Sequence, residues 1–141
     1  NESSYRSVVR AWFQHSWIYS VLRKFADSDF TIILTSDHGS IRVQNDVKVI
    51  ADKTTSTNIR FKSGKNLNCP PKYALNIKNP AEYKLPDLGI NTNYLIAKEN
   101  FYFVYPTNYH KFQTFFKDTF QHGGISMEEM ILPIVTMTPK K

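Results

Sequence analysis

Apolar residues recur at three- and four-residue steps through the first part of the chain: Val8, Val9, Trp12, Phe13, Ile18, Val21, Leu22 and Phe25. That is the spacing of one helix face, so a single amphipathic helix is expected from residue 3 to about 26, with Ser3 or Ser4 as its cap. After Asp27-Ser28-Asp29 the pattern changes to a short, nearly continuous apolar run, Phe30 to Leu34, as in a strand buried on both faces of a parallel sheet. From 41 to 105 short stretches predict strands at Ile41 to Val43, Val47 to Ile50, Asn58 to Lys62 and Tyr73 to Ile77. A hairpin is expected of Tyr94 to Ala97 with Phe101 to Tyr105, turning at Lys98-Glu99-Asn100. Asn108 to Phe116 reads as a second helix. Ser126-Met127-Glu128-Glu129 offers a capping box for a short third one, and Pro133 to Met137 closes the chain as a strand. The order implies the α/β class, with a sheet flanked by helices and a region of short, mostly antiparallel strands.

With 141 residues, 41% hydrophobic and 14% aromatic, the chain is long enough for one domain with its own core. Its one cysteine, Cys69, excludes a disulfide framework and a thiolate zinc site. No apolar run reaches the roughly 18 to 20 residues of a membrane span, and the start lacks a secretory signal. A cytoplasmic protein is expected. The chain opens on Asn1 with its first helix almost at once, as expected of the C-terminal part of a longer domain.

The net charge of +6 sits in one segment. Residues 42 to 84 hold nine basic residues (Arg42, Lys48, Lys53, Arg60, Lys62, Lys65, Lys72, Lys78, Lys84) against three acids, and the remainder balances at nine against nine. Such a segment suits an anionic partner, a phosphate ester or nucleic acid, or else a solvated lysine-rich surface. Of the aromatics, Phe61, Tyr102 and Tyr105 are placed to stack bases, although packing is the more general use of such side chains.

Two motifs carry chemistry. Ser36-Asp37-His38-Gly39 follows the 30 to 34 strand directly, and ligands of open α/β sheets bind beyond the carboxyl ends of strands. A turn lets an adjacent carboxylate and imidazole converge on one metal, with Gly39 permitting close approach. An ordinary hydrogen-bonded Asp/His loop pair is the alternative. Downstream, His122-Gly123-Gly124 precedes the capped helix at Ser126, a turn beside a helix N-terminus. A purely structural turn is again the alternative.

The combination of Ser36-Asp37-His38-Gly39 with His122-Gly123-Gly124-Ile125-Ser126-Met127-Glu128-Glu129-Met130-Ile131-Leu132-Pro133 resembles the PglZ domain of the alkaline phosphatase superfamily. The likeness extends along most of the chain, towards the C-terminal part of that domain as carried by a response regulator of the type IX secretion system. The resemblance implies an alkaline-phosphatase-like sheet with flanking helices, of which residues 1 to 141 form the C-terminal portion. It implies a two-zinc site in which Asp37 and His38 hold one Zn2+ and His122 the second. The family's nucleophile, a further aspartate and an Asp-x-x-x-His helix turn find no counterpart here: His15 has Ala11 four residues before it and reads as a plain helix residue. The nucleophile is accordingly expected upstream of Asn1. Arg42, Arg60, Lys62 and Lys65 are the candidate phosphate or substrate contacts.

The implied function is part of a zinc-dependent phosphodiesterase or phosphatase acting on nucleotide, cyclic nucleotide or oligonucleotide phosphoesters, within a two-component regulator of secretion. The other reading is a non-catalytic regulatory module that binds an acidic protein, such as a sigma factor or secretion regulator, or a nucleic acid.

Overall fold

The computed structural model describes residues 2–50 and 57–139. The chain forms two compact units, Asn1–Ser36 with Pro133–Lys141, and Asp37–Leu132. The first unit contains helices α1 (Glu2–Gln14) and α2 (Trp17–Phe25) and strands β1 (Ile32–Thr35) and β9 (Ile134–Met137). The single expected helix is two because Ser16 turns extended (φ −81°, ψ 157°) and its hydroxyl accepts the Tyr19 amide at 3.3 Å. This is an N-cap, which starts a new helix at the cost of the old one. The parallel, doubly buried strand expected at 30 to 34 is corrected: β1 pairs antiparallel with β9, Ile32 opposite Met137 and Thr35 opposite Ile134. Ile33 and Leu34 are exposed. Among the described residues β9 is the one strand paired with β1, and an apolar run does not by itself become a central strand.

The second unit is built from small sheets. Its strands are β2 (Ile41–Arg42), β3 (Asn45–Lys48), β4 (Phe61–Lys65), β5 (Ala74–Ile77), β6 (Thr92–Ala97), β7 (Phe101–Val104) and β8 (Phe120–Gln121), with helices α3 (Tyr109–Phe116) and α4 (Met127–Met130) and a 3-10 turn at Pro80–Tyr83. β4, β6 and β5 form an antiparallel sheet with β6 in the middle; β2 pairs antiparallel with β8, and β3 parallel with β7. The mostly antiparallel character of the short strands stands. The hairpin does not. β6 and β7 form where the pattern placed them, but both edges of β6 are taken by β4 and β5, and β7 pairs with β3. β7 buries Tyr102, Phe103 and Val104 in succession, and a strand apolar on both faces needs covering layers that a simple hairpin does not supply.

β4 begins three residues later than alternation suggests. The Asn58 side chain accepts the amides of Arg60 (2.6 Å) and Phe61 (3.1 Å), a local turn that competes with strand pairing. One core cluster joins Val47, Val49, Leu67, Cys69, Ala74, Leu95, Ala97 and Phe103; a second joins Ile41, Val43, Ile59, Tyr102 and Val104. α3 is tied to the second by the Tyr102 hydroxyl, which donates to the Gln113 carbonyl at 2.8 Å, and to β3 by Tyr109 and Gln113, which both donate to Asp46. Asn93, buried in β6, clamps Leu67: its amide accepts the Leu67 N–H at 2.9 Å and donates to the Leu67 carbonyl at 2.8 Å. Among the described residues no helix is long and apolar enough to cross a membrane.

Candidate functional site

The register of one short ribbon decides the geometry of the two motifs. β2 opens three residues after His38 and β8 ends one residue before His122, with Ile41 opposite Gln121 and Arg42 opposite Phe120. Antiparallel pairing carries the preceding turn of one strand alongside the following turn of the other. The imidazoles of His38 and His122, 84 positions apart in sequence, consequently stack with ring centroids 4.0 Å apart and planes 12° from parallel. Both residues are exposed, so the pair faces solvent and is not part of the core.

Asp37 completes the turn. Its carboxylate accepts the His38 amide at 3.0 Å and stands 3.8 Å from His38 Nε2. His38 Nδ1 lies 2.9 Å from the Gly39 carbonyl oxygen; a carbonyl only accepts, so this contact places a proton on Nδ1, with Nε2 the nitrogen 3.8 Å from the Asp37 carboxylate. Two donor atoms each roughly 2.0 to 2.2 Å from one metal stand at most about 4.4 Å apart. The Asp37 oxygen and His38 Nε2 meet that requirement, and a nitrogen and an oxygen are a suitable donor set for Zn2+. Among the described residues, no group of three or more His, Cys, Asp or Glu side chains is placed to hold a metal ion.

The four cations named from the sequence divide. Arg42 lies on β2 in the same ribbon, partly exposed, with its guanidinium 3.1 Å from Asp118. Lys65, at the end of β4, is exposed. Arg60 and Lys62 are corrected as surface contacts: they are 0% and 1% exposed. Arg60 Nε and one terminal nitrogen donate to the two oxygens of Glu129 at 3.0 and 2.6 Å, and its other nitrogen donates to the Phe101 carbonyl. Its fork is filled by the protein, a use of arginine that sequence position alone does not reveal. Of the stacking candidates, Tyr102 is wholly buried and Phe61 and Tyr105 half-buried. Lys53 lies outside the described residues.

Lys62 lines an apolar cavity of about 250 Å³ with Ile59, Phe103, Tyr105, Phe112 and Phe116. Its ammonium lies 4.3 Å from the Tyr105 ring centre, and burial drags its pKa down from 10.5 to about 8. A lowered folded-state pKa means that the unfolded chain holds the extra proton between those values, so stability rises with pH across that window. Lys62→Met removes this contribution. The stability difference between Lys62→Met and the wild type is expected to move by about 3 kcal/mol in favour of the wild type as pH climbs from 8 to 10.5, as read from urea unfolding at a series of pH values.

Glu129 is the residue that sequence reasoning used only as a helix cap. It is 5% exposed. Besides Arg60, its carboxylate accepts the Gly124 amide at 2.9 Å and the Ser126 amide and hydroxyl at 3.0 and 2.7 Å. Burial on its own would raise its pKa; the hydrogen bonds from Arg60, Ser126 and Gly124 outweigh that and hold the carboxyl below the usual range. The available signal was the pattern Ser126-x-x-Glu129 beside a glycine pair; its buried arginine partner lies 69 positions away.

Residues 4–137 match the family model described as the BREX system PglZ alkaline phosphatase-like domain. Comparison with curated protein sequences gives no match.

Proposed function

The chain belongs to the PglZ alkaline phosphatase-like domain family, and from that premise we propose that it supplies part of a metal-dependent phosphoesterase site. Asp37 and His38 are ligands of one Zn2+ and His122 of a second. The observation that carries the reading is the stacked pair His38 and His122, 4.0 Å apart on an exposed face with Asp37 beside them. A bound metal supplies Lewis acidity, activating an attacking oxygen and stabilising charge on the phosphoryl group. The chain's own contribution is orientation: the Gly39 carbonyl fixes the His38 tautomer, and the β2–β8 register fixes the spacing of the two rings. Arg42, on the same ribbon, neutralises an incoming phosphate.

The nucleophile and the remaining ligands, in this reading, come from residues outside these 141. The substrate is a nucleotide or oligonucleotide phosphoester, and the setting is cytoplasmic, in a regulator related to PorX of type IX secretion, where a sigma factor is a candidate partner. Polyanion contacts fall to the exposed lysines of the basic segment, Lys65, Lys72, Lys78 and Lys84, because Arg60 and Lys62 are buried.

Zinc titration of the chain followed by calorimetry tests the assignment. Weak binding is expected, because two ligands and one ligand fall short of the three that a catalytic zinc usually takes. The component held by Asp37 and His38 should be lost in His38→Ala and that held by His122 in His122→Ala, and both should be unchanged in His15→Ala, whose histidine is exposed in the first unit. A zinc isotherm that His38→Ala leaves unaltered overturns the ligand assignment.

A further inference from the structure

We infer that Glu129 is the positioning residue of the histidine pair, one side chain and one carbonyl that hold both turns in register. The inference rests on the metal-site reading for its consequence, though not for its geometry. Towards the first turn, the Glu129 backbone carbonyl accepts the Gly39 amide at 3.0 Å. Gly39 is the residue whose own carbonyl meets His38 Nδ1 at 2.9 Å, so the His38 ring is one peptide unit removed from Glu129. Towards the second turn, the Glu129 carboxylate accepts the Gly124 amide at 2.9 Å, two residues past His122.

The approach is close on both sides. A Cβ on Gly39 would overlap the Glu128 carbonyl oxygen, and one on Gly124 would overlap the Arg60 guanidinium. The α4 backbone and the Arg60 side chain therefore occupy the space that any side chain at these positions would need. Gly123 between them has φ +103°, a conformation that favours glycine. Glu129 in turn has no freedom of its own. Five donors converge on its two oxygens, from Arg60 twice, Gly124 once and Ser126 twice, and Arg60 is held against the Phe101 carbonyl. A carboxylate accepts on both oxygens, with about four lone-pair sites, and so takes donors from every side here; glutamine offers a single acceptor oxygen and would turn its amide against N–H groups. Partners behind the ligands that fix ring orientation in this way typically change metal affinity 10- to 100-fold when altered.

The test has two arms. In the nuclear magnetic resonance spectrum of the wild-type chain, the ring protons of His38 and His122 should show a direct Overhauser contact, given centroids 4.0 Å apart. Glu129→Gln is expected to lose that contact while the fold persists, and to lower zinc affinity about 10- to 100-fold. Gly39→Ala breaks the same link from the other side and carries the test if Glu129→Gln does not fold. Asn93→Ala is the control, because it loosens β6 remote from both turns and should retain the contact. A histidine contact that persists in folded Glu129→Gln overturns the inference, as does its loss in Asn93→Ala. Zinc binding indifferent to His38→Ala refutes the metal reading instead, and the Overhauser arm then judges the clamp alone.

Discussion

Replacing Arg60 with methionine is expected to destabilise the second unit by about 3–5 kcal/mol, the range for removing one partner of a buried ion pair. The reason is what remains behind. Glu129 stays buried at 5% exposure with its charge facing only Gly124 and Ser126, and the Phe101 carbonyl loses its donor. Methionine fills much of the volume, so the cost is electrostatic more than a cavity term. The effect has a pH signature. Glu129 is held below its ordinary value of 4.5 in the folded protein. The unfolded chain therefore takes up a proton first as pH falls, and the stabilisation is complete above about 4.5 and lost as pH drops through the folded value. Without Arg60 the first of the bonds that offset burial is gone, so the acid transition of Arg60→Met should begin at higher pH than that of the wild type. Urea unfolding between pH 3 and 7 reads both quantities. An Arg60→Met protein within about 1 kcal/mol of the wild type would show that the pair contributes no more than an exposed salt bridge.

The second large effect concerns activity. On the proposed reading, the 141-residue chain with added zinc is expected to leave bis-p-nitrophenyl phosphate uncleaved, whereas a longer protein that also carries the remaining ligands is expected to cleave it. In such a protein His38→Ala or His122→Ala should each reduce turnover by more than about 100-fold, since loss of a ligand exceeds the 10- to 100-fold typical of residues behind one. Two ligands and one ligand fall short of the three that a catalytic zinc usually takes, and on the proposed reading the nucleophilic hydroxyl lies outside these residues, so no covalent intermediate forms. Zinc-dependent turnover by the purified chain would place the nucleophile within it. Undiminished turnover by His38→Ala would remove Asp37 and His38 from the chemistry.

Several features were legible in the residues. Ser126-x-x-Glu129 announced a capping box, and α4 starts there with both reciprocal bonds made. Asn108 to Phe116 read as a helix, and α3 occupies Tyr109–Phe116; Phe101 to Tyr105 read as a strand, and β7 runs Phe101–Val104, though with another partner than the hairpin gave it. These are local matters, governed by backbone hydrogen bonding within a few residues and by periodicity. The two histidine motifs were legible as candidates for the same reason, since turn chemistry is local.

Tertiary structure decided everything that depends on who pairs with whom. β6 and β7 are neighbours in sequence that take other partners, and β1 became one side of an antiparallel ribbon, because strand choice is a competition among distant segments that alternation does not encode. The same holds for charge. Lys65 and Lys62 are alike as letters, yet one is exposed and the other 1% exposed in an apolar cavity. Arg60 looked like a phosphate contact until its fork met Glu129, 69 positions away. Whether a cation faces solvent or a carboxylate is settled by packing across the fold, where burial makes an unpaired charge too costly to keep. The sequence determined the local turns that display Asp37, His38 and His122, and only the β2–β8 register, backed by Glu129, brought the rings to 4.0 Å.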